Sequence, residues 1–353
     1  MPLYDYGNTR LRARISSFFS IQTLESFADL TSIDSLISQL SKSHYKKSIE
    51  SSLTHADGMT CIMQAIRQEY SNIRFNLERY YEPALWEKIR IIFLRTDMQN
   101  IKSIFRGIAH NAGMDNIANS LSPLGITPEN MLISIARSKN VQEAIDKTVV
   151  FGLGFADELI KLKTSEEPCE SSEIERTLEL WYFKKVGAIF SSNDENTKLI
   201  RKLNMIEADI VNLNILLRFV NAPSSPDLDN ESIDYYLIDG CSFSRDLFLK
   251  LSHETTVKNA ITHLPPNPYN DYLVGAVDQF EETGLLSVFE NKMRMYKLKW
   301  LSQLPKQHPF GIGVPMGYVA LKESEIRNIR WIAKGIYSGF EPDFIKNNIE
   351  NFK

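Results

Sequence analysis

The chain of 353 residues has no run approaching the ~20 continuous apolar residues that a helix needs to cross a membrane. Its first residues, MPLYDYGNTRLRAR, lack the apolar segment of a secretory signal. The protein is therefore expected in the cytoplasm, without direct insertion into a bilayer. Cysteine is scarce: Cys61, Cys169 and Cys241 lie far apart and in no CxxC spacing. That pattern predicts reduced thiols rather than disulfides or a zinc site. A basic excess is missing too. A net charge of −4 with interspersed signs argues against nucleic acid, whose backbone demands a basic face.

The familiar catalytic spacings are also missing. His253-Glu254 has no second histidine four positions after the first, as a zinc-protease helix requires, and there is no GxSxG elbow. Gly311-Ile-Gly313-Val-Pro-Met-Gly317 departs from both phosphate-cradling glycine patterns and reads as a tight turn. No residue is assigned as catalytic, cofactor-binding or metal-ligating, so the expectation is a protein that is not an enzyme and carries no cofactor. Strand-type alternation is scarce as well. The breaks Ser122-Pro123-Leu124-Gly125, Ala222-Pro223-Ser224-Ser225-Pro226 and Leu264-Pro265-Pro266-Asn267-Pro268 separate stretches of helical period. With 43% hydrophobic residues there is ample material for buried cores, and the reading is all-α.

What the chain does contain is an internal repeat. An acidic residue is followed three positions on by Asn and six further on by a basic residue in four places: Asp5/Asn8/Arg14, Asp97/Asn100/Arg106, Asp209/Asn212/Arg218 and Glu325/Asn328/Lys334. The asparagines are 92, 112 and 116 residues apart. After each of the last three, apolar residues follow at one, four, five and eight positions. These are Ile101, Ile104, Phe105 and Ile108, then Leu213, Leu216, Leu217 and Val220, then Ile329, Ile332, Ala333 and Ile336. This is one stripe of an amphipathic helix. At 3.6 residues per turn the acidic residue projects into the stripe, the Asn lies at its edge and the basic residue faces away. The first copy has Thr9, Arg12, Ala13 and Ser16 on its stripe and counts as divergent.

A second block repeats with the same length: Phe27 to Leu40, Leu132 to Ile145 and Phe248 to Ile261. Each reads as a short apolar turn, a polar break and a second short helix. Longer helical runs connect them: Gly58 to Thr96 with an interruption near Glu82-Pro83, Ser172 to Ile206 opening on the capping box Ser172-Glu173-Ile174-Glu175, and Tyr269 to Leu304. Three related units follow, at 1–96, 97–208 and 209–353, the last with a closing C-terminal helix.

Inward carboxylates at Asp97, Asp209 and Glu325 could serve acid/base chemistry if buried in one pocket. Their recurrence at equivalent places in three units fits structural pairing better, because a buried charge left unpaired is expensive. Asp97, Asn100, Asp209, Asn212, Glu325 and Asn328 are thus expected as buried structural polar residues. The outward cations Arg106, Arg218 and Lys334, together with Arg10, Arg12 and Arg14, are candidates for an interface with a partner.

The run from His308 (HPFGIGVPMGY) to Tyr318, followed by Lys322, Glu323, Glu325, Asn328 and Arg330 on a basic helix, resembles the C-terminal signature of the subunit known as C in archaeal and bacterial A/V-type ATPases, whose eukaryotic homologue is known as d. The N-terminal YGNTRLRAR of Tyr6 to Arg14 and the central DMQNIKSIFR of Asp97 to Arg106 are similar to the same family, so the likeness spans essentially the whole chain. The resemblance implies an all-helical funnel of three units about a pseudo-threefold axis. It also implies a non-catalytic central-stalk component, peripheral on the cytoplasmic side of the membrane, whose partners are the central-shaft subunits and the proteolipid ring. The competing reading is a helical-repeat adaptor unrelated to any ATPase.

Overall fold

The computed structural model describes residues 4–163, 171–189, 193–221 and 230–352. Every regular element among them is a helix. In chain order these are α1 (Asp5–Ser16), α2 (Ile21–Ala28), α3 (Ile33–Leu40), α4 (Lys46–Leu53), α5 (Gly58–Tyr80), α6 (Pro83–Ile89) and α7 (Ile91–Ala109). They continue as α8 (Met114–Ser120), α9 (Glu129–Ala136), α10 (Val141–Val150), α11 (Ala156–Lys163), α12 (Ser171–Ile189), α13 (Glu195–Asn221) and α14 (Asn230–Tyr236). The remainder are α15 (Arg245–Leu251), α16 (Val257–Thr262), α17 (Asn270–Val274), α18 (Val277–Thr283), α19 (Ser287–Gln307), α20 (Gly313–Tyr337) and α21 (Pro342–Asn347). The all-α reading holds, and no helix among the described residues is long and apolar enough to cross a membrane. Cys169 and the Ala222 to Pro226 break lie outside the described residues.

Local chemistry sets the helix starts. The Oγ of Ser32 accepts the N–H of Ser35 (3.2 Å), Asn140 accepts that of Glu143 (2.9 Å) and Thr256 that of Asn259 (3.1 Å), so α3, α10 and α16 each begin on an N-cap. Pro83, which has no N–H to lose, opens α6 at the expected interruption. These caps correct the register of the second repeated block. Ser32, Asn140 and Thr256 coincide only if the first copy begins at Leu24 rather than Phe27, one helical turn earlier. In that register Leu24, Leu132 and Phe248 are equivalent, as are Ile37, Ile145 and Ile261, and all six are buried.

The chain divides into two compact units. One comprises the residues up to Asp97, Leu121–Glu129 and Leu298 onward. Its centre is α20, which packs against α1, α2, α3 and α5. Close approach here depends on glycine: a Cβ at Gly317 would stand 2.2 Å from Cδ of Pro305, and one at Gly7 2.3 Å from the ring of Tyr81. Gly311 lies in the short turn between α19 and α20, as the tight-turn reading expects, whereas Gly313 and Gly317 lie within α20 and serve tight packing instead. The other unit comprises Met98–Ser120 and Asn130–Lys297. There α13 packs against α12, α14, α15 and α16, while α10, α11 and α12 pack in succession.

Candidate functional site

The acidic residue of each of the last three motifs grips the start of a repeated two-helix block. Asp97, on α7, accepts the backbone N–H of Ile126 (3.1 Å) and Thr127 (3.0 Å), just before α9. Asp209, on α13, accepts the N–H (2.6 Å) and hydroxyl (2.8 Å) of Ser242, just before α15, and the hydroxyl of Tyr269 (2.6 Å). Glu325, on α20, accepts the N–H of Phe19 (2.7 Å), just before α2, and the hydroxyl of Tyr45 (3.0 Å). The block held by the last motif thus comes from the beginning of the chain.

The asparagines one turn further along hold the chain that follows. The amide of Asn212 donates to the carbonyl of Ile238 and accepts its N–H, both at 2.8 Å. Asn328 makes the same pair of bonds with Glu350, again at 2.8 Å. A side-chain amide that pairs with both groups of one residue satisfies them as a strand neighbour would, which suits a buried segment without regular structure. Asn100 is buried and engaged as well.

The first motif is built differently. Asp5 is exposed. Asn8 is buried, donates to the carbonyls of Pro309 (3.3 Å) and Gly311 (3.1 Å), and accepts the hydroxyl of Tyr81 (2.7 Å). It ties α1 to the loop ahead of α20 instead of gripping a two-helix block.

Burial dominates the electrostatics. It pushes the carboxyls of Asp97 and Asp209 above their ordinary values, against the opposing pull of the N–H and hydroxyl groups that they accept. Burial acts the same way on Glu325, but Lys322 and His44 outweigh it and hold that carboxyl at about 2. Lys322, itself buried, lies 3.0 Å from both Glu325 and Glu69 and 3.9 Å from the ring of Tyr45. Glu69 also accepts the hydroxyl of Ser48 (2.5 Å). These partners escape a search by sequence repeat because they belong to one unit only; the sole local signal is the Lys322-to-Glu325 spacing of three on a helix. The second unit has its own pairs, Lys102 with Glu179, both buried, and half-buried Lys297 with buried Glu207 at 3.1 Å, where Tyr182 also donates to Glu207.

The cations singled out in the sequence are exposed, and most have a local partner. Arg106 pairs with Glu175 (2.6 Å) and Arg218 with Glu290 (3.3 Å). Arg10 lies over the ring of Tyr6 at 5.3 Å, and Arg12 donates to the carbonyl of Pro309. Arg14 donates to the hydroxyl of Tyr80 (3.0 Å) and to Asn76 (3.2 Å). Lys334 is exposed on the last turn of α20. Among the described residues no three acidic, histidine or cysteine side chains stand together as a metal ion would need.

An arrangement of buried carboxylates that each accept two or more hydrogen bonds, with cations on the surface, is suited to holding helices together and meeting other molecules. A family model described as the ATP synthase (C/AC39) subunit matches residues 7–348. Curated relatives are named as the A-type ATP synthase subunit known as C. The chain is 25% identical to that of Haloquadratum walsbyi, over 97% of this chain and 96% of the relative, and 20% identical to that of Methanocaldococcus jannaschii, over 98% and 85%. It is 22% identical to that of Haloferax volcanii, over 97% and 96%. The chain belongs to the ATP synthase (C/AC39) subunit family.

Proposed function

We propose that the protein is a non-catalytic central-stalk subunit of an A-type ATP synthase, a socket that couples the central shaft to the proteolipid ring on the cytoplasmic face of the membrane. The observation that carries this reading is the family match from the first helix to the last, residues 7–348. A torque-bearing coupling must resist deformation, and the clamps at Asp97, Asp209 and Glu325 fit that demand: each fixes a helix to the start of a two-helix block through two or more charge-assisted bonds. In this reading three related units surround a pseudo-threefold axis as a funnel, the third completed by the block that begins the chain. Arg10, Arg12, Arg14, Arg106, Arg218 and Lys334 are proposed to contribute to its contacts with shaft and ring. Polar contacts suit parts that must separate when the head detaches.

The test is recovery of the tagged protein from its own membranes in mild detergent, with co-purifying chains identified by mass spectrometry. Head subunits and the proteolipid should come with it. A clean preparation lacking both would replace this reading by that of a helical adaptor.

A further inference from the structure

Beside the Glu325 network, the first unit has a cavity of about 240 Å³, walled by Arg14, His44, Lys47, Glu69, Phe75 and Lys322 among others. Its charge is unbalanced in a definite place. At the floor the ammonium of Lys322 is neutralised by Glu69 and Glu325, and the ring of His44 is 2.9 Å from Glu325. At the mouth Arg14 and Lys47 have no carboxylate: among the described residues neither makes an ion pair. Arg14 is nevertheless held in place, between the hydroxyl and ring of Tyr80 and the amide of Asn76, all neutral groups. A guanidinium so held has donors to spare and has already lost much of its rotamer freedom. Phe75, 60% exposed, gives the mouth an apolar lip.

We propose that this cavity receives an acidic side chain, aspartate or glutamate, from a segment of the central shaft, with Arg14 and Lys47 binding the carboxylate and Phe75 packing on the apolar neighbours of that residue. The choice of a polypeptide carboxylate over a free inorganic anion rests on the apolar lip and on a volume several times that of a bound oxyanion. With Glu69 already paired to Lys322 at the floor, two cations at the mouth that no carboxylate meets select for negative charge and set register more than they add raw affinity. The identity of the partner rests on the coupling function proposed above; the chemistry of the pocket does not.

The experiment uses the assembled complex extracted from membranes and treated with a zero-length carbodiimide, which joins a lysine ammonium to a carboxylate only if the two are in contact. Lys47 should be found in amide linkage to an aspartate or glutamate of a shaft subunit. Lys47→Arg should retain binding and lose the link. Separately, Arg14→Gln and Lys47→Glu should each weaken association with purified shaft subunits by about five- to tenfold and flatten its salt dependence. Lys47→Glu serves as the control for folding, since Lys47 is exposed. A complex that keeps its ATPase subunits, shows no intermolecular link at Lys47 and binds the shaft equally well in both variants would overturn the pocket and leave the coupling function standing. A link from Lys47 to a protein outside the ATPase, with no ATPase subunits recovered, would overturn the shaft as the partner and the function with it.

Discussion

The hydroxyl of Tyr45 donates to Glu325 at 3.0 Å, joining the opening block of the chain to its final long helix across 280 residues of sequence. Tyr269 makes the corresponding bond to Asp209 at 2.6 Å. Each tyrosine stands thirteen residues after its N-cap, Ser32 or Thr256. The two clamps therefore use the same side chain at the same place in the repeat, although one is assembled from both ends of the chain.

Removing either hydroxyl leaves a buried carboxylate one donor short. A hydrogen bond to a charged group contributes about 1.5–3 kcal/mol. Tyr45→Phe and Tyr269→Phe are each expected to lower the unfolding free energy by about that amount in urea titrations. A change below a few tenths of a kilocalorie in both would mean that the hydroxyls do not hold the clamps.

Glu325 sets an acid limit to stability. Its carboxyl titrates at about 2 in the folded chain against an ordinary 4.5. A depressed value means that the folded state favours the ionised form. The stabilisation, of order 3 kcal/mol by linkage, is present above pH 4.5 and is lost as the pH falls towards 2. Asp97 and Asp209 have raised values and act oppositely, favouring the folded state when protonated and losing that contribution as the pH rises through the folded value. Glu325→Gln should therefore show a shallower fall in stability between pH 4.5 and 2 than the unaltered protein. Parallel curves for the two would contradict the assignment.

Asn328 and the C-terminal segment should be energetically coupled. Deleting residues from Glu350 onward strands the buried Asn328 amide, at about 1–3 kcal/mol. The same deletion made in Asn328→Ala should cost measurably less, giving a non-zero interaction term in a double-mutant cycle. Additive effects would place the stabilisation by the C-terminal segment elsewhere.

Two glycines in helices should respond in opposite directions. Gly317→Ala drives a methyl into Pro305 and is expected to cost at least about 1–3 kcal/mol. Gly187, in α12, has open space where the methyl would go, so Gly187→Ala should stabilise by about 1 kcal/mol through helix propensity. Thermal melts of the two variants read both signs.

The helical class, the stripes and the clamp residues are legible in the sequence because each depends on spacing along one helix. Ile101, Leu213 and Ile329 recur with the period that buries them. The partners are not legible. Nothing in the vicinity of Glu325 announces Phe19 or Tyr45, since those contacts arise only when the last motif closes on the first block. The register of that block is easily misjudged by three residues because FADL and LESF offer similar apolar patterns, and only the N-cap Ser32 separates them. The first motif, Asp5/Asn8/Arg14, matches in letters but not in use, because Asp5 has no apolar stripe to enter and stays exposed. The cavity beside Arg14 draws on residues from 14 to 322 and has no local signature.

The most direct test of the coupling account compares ATP hydrolysis with ATP-driven ion transport in vesicles carrying the complex with and without this chain. Without it the head should still hydrolyse ATP while transport falls to background, and adding the purified protein back should restore transport. Transport that proceeds unchanged in the absence of the chain would contradict the account.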